Sequence, residues 1–176
     1  MVTSMFTLLL LACQAYACLC YWEDICPGSK ETIINSAEVS PLIKSFYLQE
    51  WQITDDNRTF VLLEDLVSPP SEKVRPLYFH LFNEVCSVAD GAVAEIIGKY
   101  SIKIIENNRD YVLPYLYKTK NKDLLQQYAF HIGYELWVNG DKQQINTFSS
   151  LILSGPEGGS AFLEGINKTI MQFGDE

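Results

Sequence analysis

Residues 76–104 read PLYFHLFNEVCSVADGAVAEIIGKYSIKI, and the spacing of apolar residues in this stretch predicts two consecutive helices. The first half repeats apolar side chains at i, i+3, i+4 and i+7, the spacing of one helix face: Tyr78, Leu81, Phe82 and Val85. Asp90-Gly91 ends the first pattern, and a second face follows at Val93, Ile96, Ile97, Tyr100 and Ile104. We therefore expect helices over 76–88 and 92–106.

The helical pattern continues on both sides of this stretch. Ser40 before Pro41 is typical of a helix start, and Asn121 is a second N-cap residue. Strand-like alternation is nearly absent after residue 70. Further helices are expected over 41–51, from Asn121 through Trp137, and over 143–153 and 161–173, while 59–67 and the proline-containing segment 111–117 are left open. The sequence thus predicts one mostly α domain, 41–176, built from antiparallel helix pairs as a bundle or a short α-solenoid.

The first seventeen residues resemble a secretory signal. The apolar run Met5–Ala12 is followed by Ala15-Tyr16-Ala17, which supplies the small residues that precede a signal-peptidase cut. The run is too short to span a bilayer, so no transmembrane span is expected. We therefore predict a secreted or periplasmic protein with a signal peptide at 1–17; a buried amino-terminal helix is the other interpretation.

A second processing event competes with this cleavage. Leu10-Leu11-Ala12-Cys13 is similar to a bacterial lipobox, in which Cys13 would carry the lipid and become the first mature residue. The protein would then be anchored to the cell envelope. Without lipidation, no membrane anchoring is expected.

Four cysteines remain after plain cleavage, which makes disulfides the leading interpretation in an oxidising compartment. The candidates are Cys18, Cys20, Cys26 and Cys86. A bond from Cys20 or Cys26 to Cys86 would tie an irregular amino-terminal arm, 18–40, to the helical domain. Zinc is disfavoured because Cys18 and Cys20 lack the spacing of a zinc knuckle. Free thiols are the alternative, and the sequence does not determine which cysteines would pair.

The formal charge of −9 argues against a nucleic-acid partner, since phosphate binding needs clustered bases. Between Lys99 and Lys122, however, the sequence contains six bases and only two acids, which gives a local charge of +4. Three tyrosines lie beside the bases, and aromatics with cations are typical of protein-binding hot spots. The predicted docking residues for an acidic partner are Arg109, Tyr111, Tyr115, Tyr117, Lys118, Lys120 and Lys122. The competing interpretation is a solvated helix face and loop, with the aromatics in the core.

Both histidines lie in similar heptapeptides, 79–85 and 130–136, which are 51 residues apart and suggest a repeated helix-pair module. Each histidine has a glutamate four residues later: His80 with Glu84, and His131 with Glu135. Residues at this spacing share a helix face, so two such pairs would hold zinc, iron or manganese if the helices were neighbours. The simpler interpretation is a hydrogen bond within each helix, with no cofactor.

The sequence lacks the motifs of common active sites. There is no Gly-x-Ser-x-Gly, and Cys86 faces a different direction from His80 on the same predicted helix. Residues 155–159 lack the Lys-Ser/Thr of a phosphate loop. We therefore expect an exported, non-enzymatic protein-binding domain: an inhibitor, an immunity-type partner or an envelope adaptor. The alternative is an exported hydrolase or metalloprotein that uses the two His/Glu pairs.

Overall fold

The computed structural model describes residues 29–118, 121–155 and 157–174, and within these ranges it contains eight helices and no strand. The helices are α1 (Lys30–Ile34), α2 (Pro41–Tyr47), α3 (Asn57–Leu66), α4 (Arg75–Val88), α5 (Gly91–Lys118), α6 (Lys122–Val138), α7 (Lys142–Leu153) and α8 (Gly159–Gly174). The mostly α fold class is confirmed. The signal segment 1–17, the lipidation alternative at Cys13 and the candidates Cys18, Cys20, Cys26 and Lys120 lie outside the described residues.

Side-chain caps define several helix starts. Ser40 accepts a hydrogen bond from the Ile43 amide at 3.3 Å, and Asn121 accepts one from the Leu124 amide at 3.3 Å. Both caps were expected from the sequence. Asp56 caps α3 by accepting from the Thr59 amide at 3.0 Å, which resolves the open segment 59–67 as a helix.

The long helix α5 joins two segments that the sequence separated. It is kinked at Asn108, where φ is −133° and ψ is 31° and where the side-chain amide donates to the Val67 carbonyl at 3.1 Å. Beyond the kink the helix continues through Pro114, which costs about 3 kcal/mol in a helix interior. Val112 and Leu113 are fully buried there, and each stabilises the fold by about 1.5–3 kcal/mol. The free energy gained by burying these two side chains therefore exceeds the free-energy cost of the proline.

The helices pack both antiparallel and parallel. Helices α5 and α6 form an antiparallel hairpin in which Gly98 faces His131 and Glu135. Helices α6 and α8 are parallel, because Ala129 lies against Gly165, Gly133 against Thr169, and Trp137 against Phe173. Their close approach depends on these small residues. The predicted antiparallel pairs are thus joined by a parallel contact between two helices that are not consecutive in the chain.

One hydrophobic core connects the eight helices described. Helix α1 belongs to it, since Ile33 and Ile34 are buried and α1 packs on α4. The hydrophobic core of the described residues therefore includes Ile33 and Ile34, which lie within the predicted arm 18–40. Cys86 is buried on α4. Of the eight helices described, none is both long enough and apolar enough to cross a membrane.

Candidate functional site

The buried ring of His80 has one partner that the sequence indicates and one that it does not. Its Nε2 atom lies 3.1 Å from Glu84 Oε1, as the i, i+4 spacing predicts, and 2.8 Å from Lys30 Nζ. Lys30 comes from α1, fifty residues earlier, so no local pattern points to it. An ammonium group at the ring nitrogen occupies the position that a metal ion would need and repels a cation.

The second pair is arranged differently. His131 on α6 lies beside the Phe130 ring, with 5.6 Å between the ring centres, whereas Glu135 is buried and accepts from the Asn139 side-chain amide at 3.2 Å. Across the described ranges, no three His, Cys, Asp or Glu side chains come together as metal ligands. The structure therefore pairs His80 with Glu84 but does not assemble the four residues of the metal hypothesis.

The stability of the protein should depend on the protonation of His131. Burial lowers the pKa of His131 from 6.5 to about 4, so the unfolded chain takes up this proton first as the pH falls. The contribution of the neutral His131 ring to the free energy of unfolding is fully present above about pH 6.5 and is lost as the pH falls from 6.5 to 4. We expect the free energy of unfolding to fall by roughly 2–3 kcal/mol across this window, measured by urea denaturation. His131→Gln should remove that part of the pH dependence; an unchanged difference between the two proteins at every pH would contradict the assignment.

The tyrosines of the predicted docking surface pack against neighbouring helices. Tyr111 and Tyr115 contact the Phe79 ring edge-on, at 5.9 and 5.3 Å between ring centres, and Tyr117 contacts Phe162 at 6.1 Å. All three are half-buried. Burial raises the pKa of Tyr117 to about 12. For these three residues, the structure favours the core interpretation over the docking interpretation.

The basic members of that surface divide into two groups. Arg109 is half-buried and donates to the Ser154 carbonyl at 2.6 Å, so it ties α5 to the end of α7. Lys118 and Lys122 are exposed on either side of the α5–α6 turn. Binding of an acidic partner by these two lysines stays a prediction.

A different aromatic cluster lies at the surface. Phe130, Tyr134 and Trp137 follow one face of α6 at i, i+4 and i+7, and each ring contacts Phe173 of α8, at 6.1, 5.4 and 5.3 Å between ring centres. Phe130 is 40% exposed and Trp137 is 42% exposed. We call these four residues the aromatic surface. The sequence predicted a helix from Asn121 through Trp137, but α6 is apolar on more than one face, and its sequence does not show which apolar residues reach the surface.

The aromatic surface is uncharged. From Gln126 to Val138 the only acid is Glu135, which is buried, and the only base is His131. The low pKa of His131, about 4, leaves its ring neutral at neutral pH. The last turn of α8, residues 170–174, carries no charged side chain either. The four rings themselves therefore offer apolar and aromatic contacts, and the sequence continues after Gly174 with the acidic pair Asp175-Glu176.

A shallow groove between α7 and α8 is less suited to a site. Its volume is about 550 Å³, and its lining is Leu153, Ser160, Leu163, Glu164, Asn167, Lys168 and Met171. The polar members of this lining are Ser160, Glu164, Asn167 and Lys168, and it contains neither histidine nor cysteine. Comparison with known protein families, curated proteins and solved structures finds no match to this chain.

Proposed function

We propose that this protein is an exported domain that binds another protein and catalyses no reaction of its own. Export is supported by the signal-like segment 1–17, and an inhibitor, an immunity-type partner or an envelope adaptor would each fit such a domain. The observation that carries the binding role is the aromatic surface on α6 and α8.

Three properties suit the aromatic surface to binding. Two of its four rings, Phe130 and Trp137, are exposed, so a partner would cover apolar area that now faces water. Its rings also contact one another, which limits their motion and reduces the entropy that is lost on association. Finally, tryptophan and tyrosine are enriched among the few residues that dominate binding energies.

The alternative, an exported hydrolase or metalloprotein, receives less support. It requires His80, Glu84, His131 and Glu135 to act at one site. His80 is engaged by Lys30, and the Glu135 carboxylate is engaged by Asn139. Stoichiometric zinc, iron or manganese, lost in both His80→Ala and His131→Ala, would revive this alternative.

Trp137→Ser is expected to weaken partner binding by about tenfold to a hundredfold, because it removes the largest ring of the aromatic surface. The tagged mature protein would be used to isolate a partner from the extracytoplasmic fraction of the source organism. Affinity would then be measured with both purified proteins by calorimetry. Leu48→Ser is the matched control, since Leu48 is 61% exposed but lies outside the aromatic surface.

The same titration tests the basic residues. If Lys118→Glu with Lys122→Glu abolishes a salt-dependent interaction while Trp137→Ser leaves it intact, the partner docks at the α5–α6 turn and the aromatic surface is not the binding site.

Intact-mass analysis of the exported protein tests the prediction of export separately. Loss of residues 1–17 supports plain cleavage, a diacylglyceryl mass on Cys13 supports lipidation, and retention of Met1 contradicts both.

A further inference from the structure

We infer that the protein segment bound by the aromatic surface carries arginine, and that an arginine guanidinium of this partner stacks on the exposed ring of Trp137. This inference rests on the proposed function, because it names the chemistry of the partner that the same surface would bind. Three observations point to a cation: where the surface lies on its two helices, the charge around it, and the absence of a cation over its rings among the described residues.

The aromatic surface lies at the carboxyl ends of two parallel helices. Because Trp137 lies against Phe173, the end of α6 at Val138 is beside the end of α8 at Gly174. The carboxyl end of a helix carries a partial negative charge, equivalent to about half an elementary charge. Neither α6 nor α8, over the residues described, has a basic side chain in its last turn. A cation supplied by a partner would therefore be attracted by both helix ends.

The charge around the rings also favours a basic partner. The four rings are uncharged, and His131 is neutral at neutral pH because burial lowers its pKa to about 4. The sequence continues after Gly174 with two acids, Asp175 and Glu176, and the whole chain carries a formal charge of −9. An acidic segment would be repelled by these charges, whereas a basic segment complements them.

Elsewhere on the molecule, half-buried rings are covered by cations of the protein itself. The Arg58 guanidinium lies 4.2 Å from the centre of the Trp51 ring. Arg75 lies over Tyr111 in the same way, at 5.6 Å. Over the aromatic surface, by contrast, none of the lysines and arginines in the described ranges stacks. The ring of Trp137 is 42% exposed and is therefore open to a cation from outside.

Arginine suits this position better than lysine does. Its guanidinium is planar and weakly hydrated, so it stacks on a ring face while its N–H groups still donate hydrogen bonds. Tryptophan is the side chain that attracts a stacked cation most strongly. The last carbonyl groups of a helix have no partner within that helix and accept hydrogen bonds from outside it. A guanidinium over Trp137 would combine the ring contact with donation to these carbonyl groups.

An NMR titration of the mature protein with hexa-arginine, and separately with hexa-lysine, tests this inference. The indole N–H signal of Trp137, identified by its absence in Trp137→Leu, should shift when hexa-arginine binds. The signal of Trp51 should not shift, because Arg58 already covers that ring. Hexa-lysine has the same charge but should bind at least about threefold more weakly, since an ammonium group stacks less well.

Matched variants separate the ring contact from simple charge attraction. Trp137→Leu should weaken hexa-arginine binding by about threefold to thirtyfold, because it removes the ring but keeps an apolar side chain. Trp51→Leu removes a ring that already has its own cation, so it should bind as the wild type does. Asp175→Asn with Glu176→Gln should weaken binding by about twofold to fivefold at low salt, and by less as salt is added. Circular dichroism of each variant establishes that a loss of binding does not reflect unfolding.

The outcomes distinguish this inference from the proposed function. Equal affinity for the two peptides, or a Trp137 signal that hexa-arginine does not shift, overturns the inference, because net charge alone would then account for the binding. A partner protein that requires Trp137 but binds equally well after its interface arginines are changed to glutamine also overturns it, and the proposed function then still stands. A partner that binds Trp137→Ser as tightly as the wild type contradicts the proposed binding site itself.

Discussion

Phe79→Ala is expected to lower the free energy of unfolding by about 3–5 kcal/mol, whereas Phe130→Ala should lower it by only about 1 kcal/mol. The two residues hold the same position in the similar segments 79–85 and 130–136. Phe79 is 1% exposed and meets the rings of Tyr111 and Tyr115, so its removal leaves a cavity between α4 and α5. Phe130 is partly solvated, and water fills the space that its ring leaves.

Urea denaturation of both variants measures this difference. Equal losses would mean that the two segments occupy equivalent environments, as a true repeat requires. The glutamates of the two segments already argue against a true repeat, because Glu84 is exposed and Glu135 is buried. The sequence similarity therefore does not extend to the surroundings of the side chains.

Gly133→Ala is expected to destabilise the protein by about 1–3 kcal/mol, although alanine is the better helix former by about 1 kcal/mol. A Cβ atom at position 133 would lie 2.6 Å from Thr169 Cβ and 2.8 Å from the Ile166 carbonyl oxygen. Neither a backbone carbonyl nor the first carbon of a side chain can move aside without shifting α8 away from α6. The steric cost therefore exceeds the gain in helix propensity.

Gly174→Ala provides the control for this prediction. It lies at the end of α8, and a Cβ atom there would meet no described atom within 4 Å. Its effect should stay within about 0.5 kcal/mol in the same thermal and urea unfolding experiments. If Gly133→Ala were as stable as the wild type, the parallel contact between α6 and α8 would not be as close as the structure has it.

Much of the secondary structure was predictable because its causes are local. The apolar spacing predicted a helix over 76–88, and the structure has Arg75–Val88; Ser40 and Asn121 marked the starts of α2 and α6 correctly. A helix face repeats within seven residues, and a cap binds an amide two or three residues away. Both signals are complete within a short window of sequence.

The functional candidates were harder to predict because exposure is not a local property. The sequence showed that Tyr111, Tyr115 and Tyr117 lie beside lysines, but their packing partners, Phe79 and Phe162, are distant in the chain. For the same reason the aromatic surface was missed. Its three α6 rings form one cluster only because each contacts Phe173, which lies thirty-six positions beyond Trp137 in the chain.

The sequence by itself determined the helical class, most helix boundaries and the absence of familiar catalytic motifs, since each depends on neighbouring residues. The tertiary structure alone decided that α5 continues through Pro114, that α6 and α8 run parallel, and that Lys30 reaches His80. Each of these depends on contacts between residues far apart in the chain. Burial at those contacts supplies the energy that overrides or completes the local preference.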